Sequence, residues 1–183
     1  MDISNLGKIS KMLDEDKFWE IIDQSLKNSS NQDKQEAFLI QEISQLTLKE
    51  MVGFRLRTDQ FLSDSYTSEL WCAGYIIGGG CSDDGFDYFR NWLISRGKKM
   101  YYNVLKNPDS LVSEDKQTTH DFEFEGFHYV ALEAFEQKTG EDLHDYIDYE
   151  QLSQHPKIEF NWDEDKPETM KAICPKLYDK FWT

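Results

Sequence analysis

Apolar positions recur along this chain at spacings of three and four, which is the period of a helix with one buried face. Asp14 to Asp16 precede Phe18, Trp19, Ile21, Ile22, Ser25 and Leu26, so the first helix has acids at its positive end. The polar run at 29–32 ends it, and a second helix follows with Phe38, Leu39, Ile43 and Leu46 on one side. Thr47 and Glu50 form a capping-box pair that starts a third, whose stripe is Met51, Phe54, Thr58, Phe61, Leu62 and Ser65. A fourth carries Leu70, Trp71, Gly74 and Ile77 and stops at Gly78-Gly79-Gly80. The fifth runs from Ser82 to about Arg96 with Gly97 as its cap.

Beyond Gly97 the pattern is more broken. Lys98 to Lys106 offers another turn or two before Asn107-Pro108, and residues 113–119 read as a loop. Gly126 to Lys138 is a clear helix with Phe127, Val130, Ala131, Ala134 and Phe135 inward. Thr139 and Asp142 are the next capping candidates, ahead of a short helix at 143–147. After His155-Pro156 the chain becomes acidic and aromatic, followed by a helix from Thr169. Its end carries Leu177, Tyr178, Phe181 and Trp182, too much apolar surface to hang free, and is expected to fold back. Alternation appears only at residues 122–124 and 158–160. The expected fold class is therefore all-α: mainly a helical bundle, with an irregular acidic C-terminal region and at most a minor β hairpin. Residues 1–183 are expected to form a single domain.

Composition narrows the function classes. The net charge is −15, which opposes nucleic-acid binding, because phosphate contacts need clustered Lys and Arg. It suits a soluble protein or one steered to a basic partner. Three cysteines (Cys72, Cys81, Cys174) without a CxxC pair, and an N-terminal stretch lacking a signal-peptide apolar core, point to reduced thiols in a cytoplasm. No apolar run is long enough to span a membrane.

The candidate chemistry concentrates where three glycines meet two aspartates, at residues 78–90. A glycine-rich turn opening a helix has the layout of a phosphate cradle. Asp83 and Asp84 oppose that use, since they occupy the helix start and repel anions. A cation or a basic partner fits better, and Gly79, Gly80, Ser82, Asp83, Asp84, Asp87 and Arg90 are the candidate binding residues. Arg90, three residues after Asp87, can neutralise that aspartate within the helix. Gly85 in the first turn suggests a close helix crossing, the commoner cause, or the approach of a ligand. Cys81 reads as a small buried residue rather than a nucleophile, Ser82 as an N-cap, and Trp71, Tyr75, Phe86, Phe89 and Trp92 as core. No complete catalytic constellation is present, and no cofactor is implied. His144 with Asp148, the acids at 163–165 and the scattered His120, His128 and His155 give only weak metal signals.

The same segments resemble an uncharacterised bacterial family, DUF4240. The likeness rests on FWEII at 18–22, LWCAGYIIGGGCSDDGFDYFRNWLISRGK at 70–98, NPDSL at 107–111, YVALEAF at 129–135 and PKLYDKF at 175–181. The resemblance implies a mostly helical domain whose members often stand alone. It carries no reaction and no catalytic set.

Three expectations follow. The leading one is a non-enzymatic cytoplasmic interaction domain engaging a basic protein, of which an immunity protein neutralising a toxin is a concrete version. A rival is an enzyme or small-ligand binder with a cleft at residues 78–90, in which Asp83 and Asp84 hold a divalent cation together with Glu123, Glu125 or Glu133. The third makes the segment a helix–helix corner without a ligand.

Overall fold

The computed structural model describes residue 3 and residues 6–114, 122–151 and 157–182; His120, His155 and most of the expected loop at 113–119 lie outside them. Among the described residues the chain is helical throughout, with isolated bridges and no strand. It is all-α, as the periodicity predicts. The helices are α1 (Glu15–Asn28), α2 (Gln32–Gln45), α3 (Leu48–Asp64), α4 (Ser68–Gly78), α5 (Asp83–Ser95) and α6 (Lys98–Lys106). They continue with α7 (Val130–Thr139), α8 (Pro167–Ile173) and α9 (Pro175–Phe181). The alternating segments at 122–124 and 158–160 build no hairpin. Residues 98–106 form a helix of about two and a half turns, close to the expectation, and the helix expected from Gly126 begins as a 3-10 turn before α7.

By their contacts the residues sort into two compact units, 1–61 with 126–155 and 62–125 with 156–183. The first unit packs α1, α2, most of α3 and α7. Phe18 of α1 lies against Phe54 and Phe61 of α3, with ring centroids 4.6 and 5.2 Å apart, and all three are buried. Asp14 caps α1 through its carboxylate, and Thr47 with Glu50 forms the expected reciprocal box at α3. Lys17 adds an ion pair to Glu50 at 2.7 Å.

Contacts of this unit that the stripe pattern does not reveal are polar or glycine-mediated. The buried Gln35 amide donates to Ser25 Oγ at 2.9 Å, linking α2 to α1. Lys138 of α7 donates to the Ser44 and Leu46 carbonyls at 2.6 and 2.7 Å, satisfying the end of α2, which has no basic residue of its own. Gly53 lets the segment before α1 touch α3. Its carbonyl accepts from the Leu13 N–H at 2.9 Å, and a Cβ here would sit 2.8 Å from that same nitrogen.

The second unit is built round α4, which is apolar on nearly every side and buried from Leu70 to Gly74. Helix α5 crosses it at Gly74, where an added Cβ would meet the Phe89 ring at 3.3 Å. The crossing glycine is thus Gly74. Gly85, expected in that role, faces only Ser82 Oγ and Cys81 Sγ at ordinary distances of 3.4 and 3.6 Å. The C-terminal helices fold back onto α4 as expected, burying Met170, Cys174 and Leu177. Asp109, in the 3-10 turn Pro108–Ser113, accepts the first free N–H groups of α9 from Lys176 and Leu177, both at 2.9 Å. Two of the quoted sequence blocks, NPDSL and PKLYDKF, meet in that cap.

Candidate functional site

Helix α4 ends in a left-handed turn. Gly79 has φ 70° and Gly80 φ 130°, and both N–H groups close on the Tyr75 carbonyl. That conformation requires glycine. Nothing approaches a Cβ built at Gly78, Gly79 or Gly80, and all three are exposed. Ser82 then caps α5 by accepting from the Gly85 N–H at 3.1 Å.

The charged residues of this block divide into two sets. Arg90 is turned inward, its side chain 8% exposed. Its guanidinium lies 4.8 Å from the Tyr66 ring centre and 4.7 Å from that of Phe86, and donates to the Leu62 carbonyl and the Asp87 carboxylate. Burial lowers the Arg90 pKa while Asp87 opposes the change. Asp83 and Asp84 are exposed in the first turn and form no ion pair among the described residues. Of the seven candidate residues, then, two shape the turn, one caps the helix, and Arg90 and Asp87 answer each other. Asp83 and Asp84 are left facing solvent.

Cys81 is half-buried, and its carbonyl accepts from Trp71 Nε1 at 3.3 Å. Burial first, then the Glu123 carboxylate, push its thiol up to about 12. A thiol held protonated at neutral pH is a poor nucleophile.

A second feature of this unit adjoins the block. Segment 160–166 runs beside α4. Ser68 Oγ donates to the Asn161 side chain at 2.6 Å, Trp162 Nε1 donates to the Ser68 carbonyl at 2.9 Å, and the Tyr75 hydroxyl donates to the Glu164 carboxylate. That carboxylate, more than burial, pushes Tyr75 up to about 12. The Phe160 ring stands edge-on to Trp71 and to Trp162, at 5.2 and 5.7 Å, and Tyr75 packs on Trp162 and Trp182 at 5.1 and 5.5 Å. The segment lines an open groove of about 590 Å³ with Phe160, Asn161, Trp162, Asp163, Glu164, Lys166 and Thr169. Lys166 pairs with Asp163 at 2.8 Å. The sequence places Trp71 and Tyr75 in the core and gives the groove segment only the weak metal signal of its acids at 163–165. Its available signal was the alternation of aromatic and acidic residues from Ile158 to Glu168.

The first unit holds a separate polar cluster. Arg55, buried, forms a two-point pair with Asp59 and donates to the His128 carbonyl at 2.8 Å. Burial, then Arg55, lower His128 to about 4, so its ring is neutral at pH 7. His144 Nδ1 lies 2.6 Å from the Tyr149 hydroxyl, in a 3-10 turn rather than on a helix shared with Asp148. A cavity of about 350 Å³ in this unit is lined by Tyr129, Glu133, Glu136, Asp142 and His144, among others. Glu133 therefore belongs to a different unit from Asp83 and Asp84, and neither aspartate lines either cavity. No group of three His, Cys, Asp or Glu side chains arranged to hold a metal occurs among the described residues.

The fold and site define an all-helical, strongly acidic protein with an exposed acidic helix start beside an aromatic groove. Residues 13–137 match the family described as "Protein of unknown function (DUF4240)", and the chain belongs to that family. The matched span contains the whole of the glycine–aspartate block; the PKLYDKF block and the groove segment lie beyond it. No curated protein and no solved structure matches the chain.

Proposed function

We propose that this protein is a non-enzymatic interaction domain that engages a basic protein partner, with immunity-type neutralisation of a cationic toxin as its concrete form, and that it works in the cytoplasm. The observation that carries this reading is the net charge of −15 combined with exposed carboxylates, Asp83 and Asp84, that form no ion pair among the described residues. Such a surface draws a cationic partner over the distance of a Debye length, about 10 Å at 0.1 M salt, and speeds its encounter. The buried Arg90 and the protonated Cys81 fit a structural role better than a chemical one. In this reading Gly79, Gly80 and Ser82 present the two aspartates at a fixed angle, while Asp87 and Arg90 hold the helix that carries them.

The test is affinity capture from the source cells with the wild-type protein and an Asp83→Asn/Asp84→Asn variant, followed by mass spectrometry. A cationic protein retained at about 50 mM salt, released at about 500 mM and held less well by the variant is the expected result. Retention of no cationic protein at the lower salt overturns the proposal.

A further inference from the structure

The groove beside α4 has a composition that its structural duties do not use up. Asn161 and Trp162 are accounted for by their bonds to Ser68 and Glu69, which fasten the segment to the start of α4. Phe160 is not. It is 53% exposed, and among the described residues it is the one large exposed side chain without a polar atom, the others being Tyr102, Tyr129 and Tyr149. Around it, residues 157–169 carry five carboxylates against two lysines, and Lys166 is already committed to Asp163. An exposed aromatic face among surplus carboxylates is the combination that attracts a guanidinium, which stacks on rings and bridges carboxylates with its planar fork.

The molecule contains such an arrangement internally. Arg90 lies over two rings at under 5 Å and closes on a carboxylate one helical turn away. The groove offers the same kinds of part, two aromatic side chains and the Glu164 carboxylate beside an Asp163–Lys166 pair, with no arginine among the residues that line it.

We infer that the groove lined by Phe160, Trp162 and Glu164, with the exposed carboxylates of Glu159, Asp165 and Glu168 around it, is an arginine-docking site, which receives a guanidinium side chain projecting from a basic protein partner. This rests on the reading of the protein as a binder of basic partners, and adds where the partner is gripped and by which side chain. The aromatic floor supplies selectivity for arginine over lysine, and the exposed aspartates of α5 supply attraction that does not distinguish the two.

The experiment measures fluorescence anisotropy with labelled nona-arginine and nona-lysine peptides at about 20 mM salt, where exposed charges are weakly screened. Wild type is compared with Phe160→Ala, Phe160→Leu and Asp83→Asn/Asp84→Asn, each first shown to melt normally. The expected result is tighter binding of nona-arginine than of nona-lysine. Both Phe160 variants should weaken nona-arginine by about tenfold and erase its advantage, while the aspartate variant weakens both peptides equally. Unchanged nona-arginine binding in the Phe160 variants, with binding lost in the aspartate variant, overturns the groove and leaves the basic-partner reading standing. Binding of neither peptide to wild type overturns both.

Discussion

At the scale of single residues, the glycine–aspartate block separates into side chains that hold the fold and side chains that do not. Arg90→Ala removes a buried guanidinium, its two aromatic contacts and its bonds to Leu62 and Asp87, and should cost about 2–4 kcal/mol in denaturant unfolding. Asp84→Ala removes an exposed charge from a helix N-terminus and should cost under about 1 kcal/mol. A corner that used Asp84 structurally predicts comparable losses for the two, so their ratio decides between the readings. Periodicity could pair Asp87 with Arg90 but could not foresee that Arg90 points inward, because its stacking partner Tyr66 lies in the loop before α4, outside every apolar stripe. His128 supplies a pH signature. Its folded pKa of about 4 lies below the ordinary 6.5, so the unfolded chain takes up the proton first. Stability from this group is full above about 6.5 and falls as pH drops towards 4. In a His128→Gln variant, urea midpoints measured across that window should flatten relative to wild type.

Among the elements, the caps were legible and the crossings were not. The Thr47–Glu50 box, Ser82 and Asp142 each cap the helix or turn expected of them, because a cap is a local bargain between neighbours in sequence, and Asp14, expected only as an acid at the positive end of α1, proves to be its cap. Gly53 and Gly74 are required by chain segments 40 and 15 positions away (Leu13 and Phe89), and no local pattern encodes such a neighbour. The groove went unmarked for another reason: its lining residues all fall between Phe160 and Thr169, in a segment with no helical apolar period to single them out. Asp109 is a long-range cap, holding α9 from 66 residues upstream of Pro175. Asp109→Ala should therefore lower stability by about 1–2 kcal/mol. Amide exchange in α9 should rise before exchange in α5; equal acceleration in both helices would count against a local cap.

Over the whole molecule, the dominant quantity is charge. With 35 acidic against 20 basic side chains, the folded chain repels itself, and added salt should raise its thermal midpoint. The measurement is calorimetry from about 20 to about 500 mM NaCl, below the range where salt-specific effects dominate. A midpoint that stays flat or falls would mean the acids are compensated locally, against the uncompensated acidic face on which the proposed function depends. Net charge is readable from sequence alone, so this property was available first. Where the excess is exposed became clear only once Arg90 and Lys166 were seen to be committed to their own aspartates.

The fold-back of α9 onto α4 has a consequence for how the protein is made. Helix α4 leaves the ribosome as one of the most apolar segments of the chain, and although α5 follows at once, the C-terminal part of its cover and the cap between Asp109 and α9 arrive about 100 residues later. At typical translation rates of about 5–20 residues per second, that is a wait of roughly 5–20 s with part of its hydrophobic surface uncovered. The second unit can be completed only after α9 has emerged, so the nascent chain should be a client for chaperones that shield apolar helices. Its yield should depend more on elongation speed and chaperone supply than the stability of the finished fold would suggest.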